Sequence, residues 1–242
     1  MQTSDPVESL IAEAKVLARS AGRLRFKPPV THVYNPLTYA WSAHEAYLRK
    51  FGSSPKRVLF LGMNPGPFGM VQTGVPFGEI AAVRDWMRIE GGIVPPAKQH
   101  RSRPITGFAC PRSEVSGKRL WGLFAQRFGD AQNFFRDHFV VNYCPLAFLE
   151  ASGANRTPNK LPSEEAAALQ EICDQHLRAV LEILQPEWAI GIGGFAATRL
   201  HKAIDNKTMK IGMILHPSPA CPAANKDWAG QATAQLTQLG VW

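Results

Sequence analysis

Four short runs of residues along the chain are almost continuously hydrophobic, and segments with a helical repeat of apolar positions lie between them. The runs are residues 57–61, 139–143, 188–192 and 211–215. Runs of this length that are apolar on both faces are typical of strands in a parallel sheet covered on its two sides. They predict the central sheet of the molecule.

The amphipathic segments predict helices at residues 4–21, 40–51, 79–89, 117–128, 163–184, 195–204 and 227–239. The segment at 163–184 begins with a serine and two glutamates and stops before Pro186, as a capped helix does. Strands that alternate with helices indicate an α/β fold with right-handed crossovers. We therefore predict a single-domain three-layer sandwich over residues 1–242, with a four-stranded parallel sheet and helices on both of its faces. The helical segment at 1–24 is expected to be peripheral.

Ligands of such sheets bind beyond the carboxyl ends of the strands, so the segments that follow the strands are candidates for function. The first of them, residues 62–78, is rich in glycine and proline. Its prolines favour extended conformations at Asn64 and Gly66, and they predict a stiff loop that presents the Asn64 side chain. A tight turn explains Asn-Pro-Gly alone, but the connection is too long for a plain turn and favours a functional loop. Phe77 is either a core aromatic residue or a wall on which a planar ligand stacks.

Two further polar residues lie at the ends of predicted strands. Asn142 interrupts an apolar run, and its amide needs a partner because a buried unsatisfied one costs about 1–3 kcal/mol. That partner is either neighbouring backbone or a ligand. His216 ends the last predicted strand and precedes Pro217, which keeps its backbone extended. A histidine in a turn is the ordinary explanation, whereas its position at a carboxyl strand end favours a functional role.

Composition narrows the class of protein. The chain is 45% hydrophobic and carries 27 Lys+Arg against 19 Asp+Glu, a net charge of +8 that suggests an anionic partner. No apolar run approaches the ~20 residues that cross a bilayer. The first 21 residues lack the apolar core of a signal peptide, so a cytoplasmic protein without a membrane partner is expected. The four cysteines form no Cys-x-x-Cys pair, which argues against a metal or iron–sulfur site.

Two longer motifs carry a resemblance to a known family. They are Gly-Met-Asn-Pro-Gly-Pro-Phe-Gly-Met at 62–70 and Gln-Thr-Gly-Val-Pro-Phe-Gly-Glu at 72–79. Both resemble the single-strand-selective monofunctional uracil-DNA glycosylases. Shorter similar motifs lie at residues 33–37, 39–41, 44–45, 110–117, 142–146, 216–219 and 224–226. The similarity therefore extends from about residue 25 to residue 228.

The resemblance implies a DNA-repair enzyme that hydrolyses the N-glycosidic bond of uracil and 5-hydroxymethyluracil in single- and double-stranded DNA and leaves an abasic site. It implies no metal and no cofactor. Asn64 would place the water, His216 would stabilise the leaving base at O2, and Asn142 would pair with O4 and N3–H. Asn64 stands where related enzymes have an aspartate, and an amide cannot take a proton from water at neutral pH. The resemblance therefore implies a dissociative reaction, in which the sugar cation forms first and the water needs little activation. A monomer is expected, in the nucleoid of a bacterium or the nucleus of a eukaryote.

The resemblance also implies residues that shape the site. Met63 would bond a uracil carbonyl through its backbone, Phe77 would stack on the base, and Gly66 would leave room beside C5. A wedge that enters the base stack would consist of Pro217, Ser218, Pro219, Ala220, Cys221 and Pro222. Ala220 departs from the arginine that the family often has there, which lowers the activity expected on duplex DNA. A basic stretch around the motif at 110–111 is expected to contact phosphates, although a solvated charged loop is the ordinary explanation for any one of its residues. These are Lys98, His100, Arg101, Arg103, Arg112, Lys118 and Arg119.

Three alternatives remain. A protein with these motifs could bind single-stranded DNA or a flipped base without cleaving it, and release of free uracil distinguishes the two. A glycosylase family with an iron–sulfur cluster shares the fold, but the cysteine spacing disfavours it. Glycines within residues 191–194 could cradle a dinucleotide, but the full spacing is missing, so tight packing of strand on helix is the better explanation.

Overall fold

The computed structural model describes residues 5–204 and 208–242. Its strands are β1 (Val30–Tyr34), β2 (Val58–Gly62), β3 (His138–Asn142), β4 (Ala147–Glu150), β5 (Asn155–Arg156), β6 (Trp188–Ile192) and β7 (Lys210–Ile214). Four of them form a parallel sheet in the order β3-β2-β6-β7. These are the four predicted strands, each within one residue of its predicted bounds. Every residue of β2 and of β6 is buried, as expected for central strands covered on both faces.

The helices lie on both sides of this sheet. They are α1 (Pro6–Arg23), α2 (Pro36–Tyr39), α3 (Trp41–Phe51), α4 (Met70–Thr73), α5 (Val115–Phe128), α6 (Ala131–Asp137), α7 (Ser163–Leu184), α8 (Gly194–Ala203) and α9 (Ala224–Gln238). The predicted α/β fold class is confirmed. The helix predicted at 79–89 is instead a short π-helical segment, Ala82–Trp86, and α6 was not predicted. Among the described helices, none combines the length and the apolar character that crossing a membrane needs.

The first helix is part of the core. Asp5 caps it by accepting the Val7 N–H at 3.0 Å, while residue 4, where the sequence predicts its start, lies outside the described residues. Leu10, Leu17 and Ala21 are among its buried residues, and the helix packs against α7 and α3. The expectation of a peripheral segment is therefore wrong for the described part of residues 1–24, because an amphipathic face of this size covers the core.

A second, smaller sheet was not predicted. Strands β1, β4 and β5 pair antiparallel in the order β1-β4-β5. β4 and β5 are only four and two residues long, too short for a periodic pattern to stand out. This sheet matters for function because its β4–β5 hairpin reaches the carboxyl end of the parallel sheet.

Candidate active site

A cavity of about 260 Å³ lies beyond the carboxyl ends of β2, β3 and β7. This volume is just below the ~300–1,000 Å³ of typical small-molecule sites and suits a single nucleobase. The six residues predicted for catalysis and base binding all line it, namely Met63, Asn64, Gly66, Phe77, Asn142 and His216. A larger open cleft, lined in part by Gln185 and Met209, lies at the amino ends of β6 and β7, away from these groups.

Asn64 is held by the segment that follows β3. Its Nδ2 donates to the carbonyl oxygen of Leu146 at 3.3 Å. The backbone hydrogen bonds between β2 and β3 continue beyond the ends of these strands, because Cys144 N donates to the Met63 oxygen at 2.9 Å. With Nδ2 engaged, Oδ1 is the amide atom that remains to accept a hydrogen bond. The side chain can orient a water molecule, but it cannot take its proton at neutral pH.

Asn142 is the last residue of β3, and its side chain is only partly satisfied. The residue is 9% exposed. Its Nδ2 donates to the Met70 sulfur at 3.2 Å, and its buried Oδ1 has no hydrogen-bond partner among the described residues. The protein backbone therefore does not supply the partner of this oxygen, which makes it available to a ligand.

Gly62, the neighbour of Asn142 across the sheet, makes this arrangement possible. A Cβ atom at residue 62 would lie 2.3 Å from Asn142 Oδ1 and 2.4 Å from Cε2 of Phe77. Both distances are far below van der Waals contact. Only glycine at this position allows the amide and the aromatic ring to approach each other.

Phe77 adopts a backbone conformation that is rare for a bulky residue. Its φ is +52°, in the left-handed region where non-glycine residues are strained. Its carbonyl oxygen accepts from Trp121 Nε1 at 3.1 Å and from the Glu79 N–H at 2.6 Å. These bonds hold the strained residue in place. The ring stands 6.2 Å from the His216 ring, centroid to centroid, so both rings border the cavity.

His216 follows β7 by two residues, and its tautomer is fixed. Nδ1 accepts the Ser218 N–H at 3.1 Å, so the proton of the neutral ring lies on Nε2. Burial lowers the pKa of His216 from its usual 6.5. Gly193, at φ +88°, lies directly against it, since a Cβ there would be 3.0 Å from the His216 Cβ. The cavity therefore receives a neutral imidazole with a donor N–H.

Gly66 lines the cavity, but the position that a side chain at this residue would take is occupied. A Cβ at this residue would lie 2.4 Å from Oε2 of Glu114, so the carboxyl fills the place of the missing side chain. Oε2 accepts the Phe68 N–H at 3.2 Å, and burial raises the pKa of Glu114. A carboxyl group therefore borders the cavity beside Gly66, and the room expected beside C5 of a base stays a prediction.

The segment predicted as a wedge is a series of turns that projects beside the cavity. Its exposed tip includes Pro219, Ala220 and Pro222, while Ser218 lines the cavity. Arg119 of α5 braces the base of the segment. Its guanidinium donates to the Pro217 oxygen and to Asn225 Oδ1, both at 3.0 Å.

Three of the basic residues expected at DNA phosphates lie in two different environments. Arg112 and Arg103 lie over the Phe68 ring, at 3.9 and 5.3 Å from its centroid. His100 is instead buried, with its Nε2 3.1 Å from the Ala151 oxygen, so it is not placed for the phosphate contact predicted for it.

The Gly191 backbone packs tightly on α8, where a Cβ would lie 2.4 Å from Ala197 N. This agrees with the packing explanation of the glycine-rich turn.

Several cavity residues were missed by the sequence analysis as site residues. They are Pro67, Met70, Glu114, Ser116, Asn155 and Thr157. Glu114 and Ser116 lie in a motif that carried the resemblance, so that signal was available. Asn155 and Thr157 come from the hairpin of the small sheet, and nothing in their local sequence pattern marks them.

Comparison with known proteins identifies the family. A model of the uracil DNA glycosylase superfamily matches residues 49–237. The single-strand selective monofunctional uracil-DNA glycosylase of Rattus norvegicus is 45% identical over 236 residues, covering 97% of this chain and 85% of that protein. The protein of the same description from Mus musculus is 44% identical over 241 residues, covering 99% and 86%. That of Bos taurus is 43% identical over 236 residues, covering 97% and 87%.

A solved structure shows the same fold at lower identity. The crystal structure of wild-type Pedobacter heparinus SMUG2 matches with a TM-score of 0.69 and 19% identity, over 94% of this chain and 97% of that one. The fold and the sequence match define a protein of the uracil DNA glycosylase superfamily. Within that superfamily, the chain belongs to the single-strand selective monofunctional uracil-DNA glycosylases, and the resemblance found in its sequence is confirmed.

Proposed function

We propose that this enzyme removes uracil from DNA by hydrolysing the N-glycosidic bond, and that it leaves an abasic site. One observation carries the proposal: Asn64, Asn142 and His216, from three distant parts of the chain, line one base-sized cavity. The names of its relatives support DNA as the substrate and uracil as the base.

Recognition begins with a flipped nucleotide in the cavity. The Phe77 ring stacks on the face of the base. Asn142 pairs with its edge, because the unpaired Oδ1 can accept the N3–H of uracil and an Nδ2 hydrogen can be donated to O4. The strained backbone of Phe77 and the buried amide set this geometry before the substrate arrives, which reduces the reorganisation that binding requires.

Bond cleavage places negative charge on the departing base and positive charge on the sugar. The Nε2–H of neutral His216 donates to O2 of the base as that charge develops, a contribution of about 3–4 kcal/mol for comparable donors. The water held by Asn64 then attacks the sugar cation. Because Asn64 is not a general base, the sugar–base bond breaks before the water oxygen bonds to the sugar carbon. None of the described residues that line the cavity is a lysine, which suits hydrolysis without a covalent sugar intermediate.

Acceptance of 5-hydroxymethyluracil is part of the proposal. The Glu114 carboxyl beside Gly66 offers an acceptor to a hydroxyl on a 5-substituent, and a methyl group would give it no donor. Action on double-stranded DNA is proposed as the weaker activity, because the Ala220 side chain at the tip of the wedge is too small to fill a vacated base stack. We further propose that residues 1–242 act as one monomeric domain where the cell keeps its DNA.

Release of free uracil from a labelled single strand tests the proposal. The protein should release uracil, and Asn64→Ala should lower the single-turnover rate about 10²- to 10³-fold while DNA binding persists. The alternative, a non-catalytic module for single strands or flipped bases, predicts binding without release. Binding of the uracil strand by the unaltered protein with no uracil released would therefore overturn the enzyme and favour the module.

A further inference from the structure

The proposed function does not say what fixes the orientation of the Asn142 amide, and the contact of this amide with Met70 offers an answer. An asparagine amide can pair with uracil in one orientation and with cytosine in the other, because a half-turn exchanges donor and acceptor. We propose that Met70 is a positioning residue that fixes the Asn142 amide and so sets the preference for uracil over cytosine. The inference rests on the proposed function, and it adds a residue on which base selectivity depends.

The chemistry of sulfur decides which amide atom faces Met70. A thioether sulfur accepts hydrogen bonds and has no hydrogen to donate. Nδ2 of Asn142 lies 3.2 Å from Sδ, so one of its two N–H groups is directed at the sulfur. The other N–H and Oδ1 together form a donor–acceptor edge. Oδ1 has no partner in the part of the chain that the structure describes, and this edge is therefore complete only when a base occupies the cavity.

Uracil matches this edge and cytosine opposes it. Uracil offers O4 as an acceptor and N3–H as a donor, which meet Nδ2–H and Oδ1 of Asn142. Cytosine offers an amino group and an N3 without hydrogen. Its amino group would face Nδ2–H, donor against donor, and its N3 would face Oδ1, acceptor against acceptor. Turning the amide would remove both conflicts, but it would place Oδ1 against Met70 Sδ with no hydrogen between them. The Met70 contact therefore opposes the orientation that accepts cytosine.

Met70 can hold the amide because its own position is fixed. It is 3% exposed and begins the short helix α4. The side chain of Gln72 in the same helix donates to the Pro67 and Pro104 oxygens at 3.0 and 3.1 Å. Its Oε1 accepts the N–H groups of Thr106 and Gly107 at 2.9 and 3.1 Å. Four hydrogen bonds from one amide thus anchor α4, and the sulfur cannot follow a turning Asn142 without moving this helix.

Base selectivity is measured with single strands that carry one 2′-fluoroarabino-uridine or one 2′-fluoroarabino-cytidine. The fluorine disfavours the cationic sugar, so binding is separated from cleavage. Met70→Leu keeps the volume of the side chain and removes the acceptor. We expect the ratio of cytidine-strand Kd to uridine-strand Kd to fall about 3- to 10-fold, the worth of one hydrogen bond. Met87→Leu, at another buried methionine, is the matched control and should leave the ratio unchanged.

An unchanged ratio in folded Met70→Leu would overturn the inference, and so would an equal fall in Met87→Leu. A second measurement needs no variant. In the unaltered protein, a nuclear Overhauser effect should join the Asn142 side-chain NH2 protons to the Met70 methyl group, and its absence would also overturn the inference. Failure of this inference is distinguished from failure of the proposed function by assaying uracil release with the unaltered protein. If that protein releases no uracil, the proposed function is refuted, whatever the orientation of the Asn142 amide.

Discussion

The backbone N–H of Ser218 is bonded to Nδ1 of His216 at 3.1 Å, and this bond determines what the imidazole can do. It leaves the proton on Nε2, where the ring can donate to a base that leaves as an anion. Removing the ring in His216→Ala should lower the single-turnover rate of uracil release about 10²- to 10³-fold, with little change in the Kd for a non-cleavable strand. Equal losses of rate and of binding would contradict an electrostatic role for His216.

The same bond predicts the pH dependence of the reaction. Burial lowers the pKa of His216 from 6.5, so the ring stays neutral at neutral pH. When it is protonated, Nδ1 becomes a donor and can no longer accept the Ser218 N–H. The midpoint of the fall in single-turnover rate with acid should therefore lie below pH 6.5, because the ring takes up its proton at the lowered pKa. A decline centred at or above pH 6.5 would contradict the burial of this ring.

Gly62 offers a steric test of the site. In Gly62→Ala the new Cβ would meet Asn142 Oδ1 at 2.3 Å and the Phe77 ring at 2.4 Å, so one of the two must move. Uracil release should fall by at least about tenfold, because small displacements at an active site are costly. Gly122→Ala in α5 is the matched control, since a Cβ there meets nothing within 4 Å. Its activity should be unchanged and its melting temperature unchanged or higher.

Glu114 should set the response to a group on C5 of the base. Glu114→Ala removes the acceptor beside Gly66, so the ratio of kcat/KM for 5-hydroxymethyluracil to that for uracil should fall roughly tenfold. Glu114→Gln keeps a carbonyl acceptor and should lose less. Glu171→Gln, at an exposed glutamate of α7, serves as the control. A uniform loss on both bases in Glu114→Ala would indicate that the carboxyl only supports the loop through its bond to Phe68.

Two buried histidines outside the site predict weaker stability in acid. Burial lowers the pKa values of His44 and His138 to about 4. Between pH 6.5 and about 4 the unfolded chain therefore binds protons that the folded chain does not, and stability falls as the pH falls. The loss approaches roughly 3 kcal/mol per histidine by pH 4. Urea unfolding of His138→Phe between pH 7 and 4.5 should show a shallower fall, whereas His201→Gln, at an exposed histidine, should follow the unaltered protein.

Arg119 should matter most on duplex DNA. It joins α5 to the Pro217 oxygen and to Asn225, and so braces the segment proposed to enter the base stack. Arg119→Gln should reduce uracil release from a duplex several-fold more than release from a single strand, because only the duplex resists insertion. Arg136→Gln, at an exposed arginine of α6, should affect both substrates alike.

The sequence predicts the parallel sheet well because each strand is a short apolar run buried on both faces. It also places Asn64 and His216 at carboxyl strand ends, where parallel sheets bring distant loops together. It does not predict that Glu114 fills the space beside Gly66, because that contact joins residues far apart in the chain. The short strands β4 and β5 are missed for a related reason, since their pairing depends on tertiary contacts more than on local pattern.

One wall of the cavity comes from the hairpin of the small sheet, and the rest comes from the ends of the parallel strands and the segments that follow them. Asn155 and Thr157 line the cavity from this hairpin, whereas the polar groups at its base follow strands of the parallel sheet. One hydrogen bond between the two runs from Asn155 Nδ2 to the Pro65 oxygen, at 3.5 Å. A change in the length of the hairpin turn would therefore alter this wall of the cavity, whereas Asn64, Asn142 and His216 are positioned by the ends of the parallel strands and the segments that follow them.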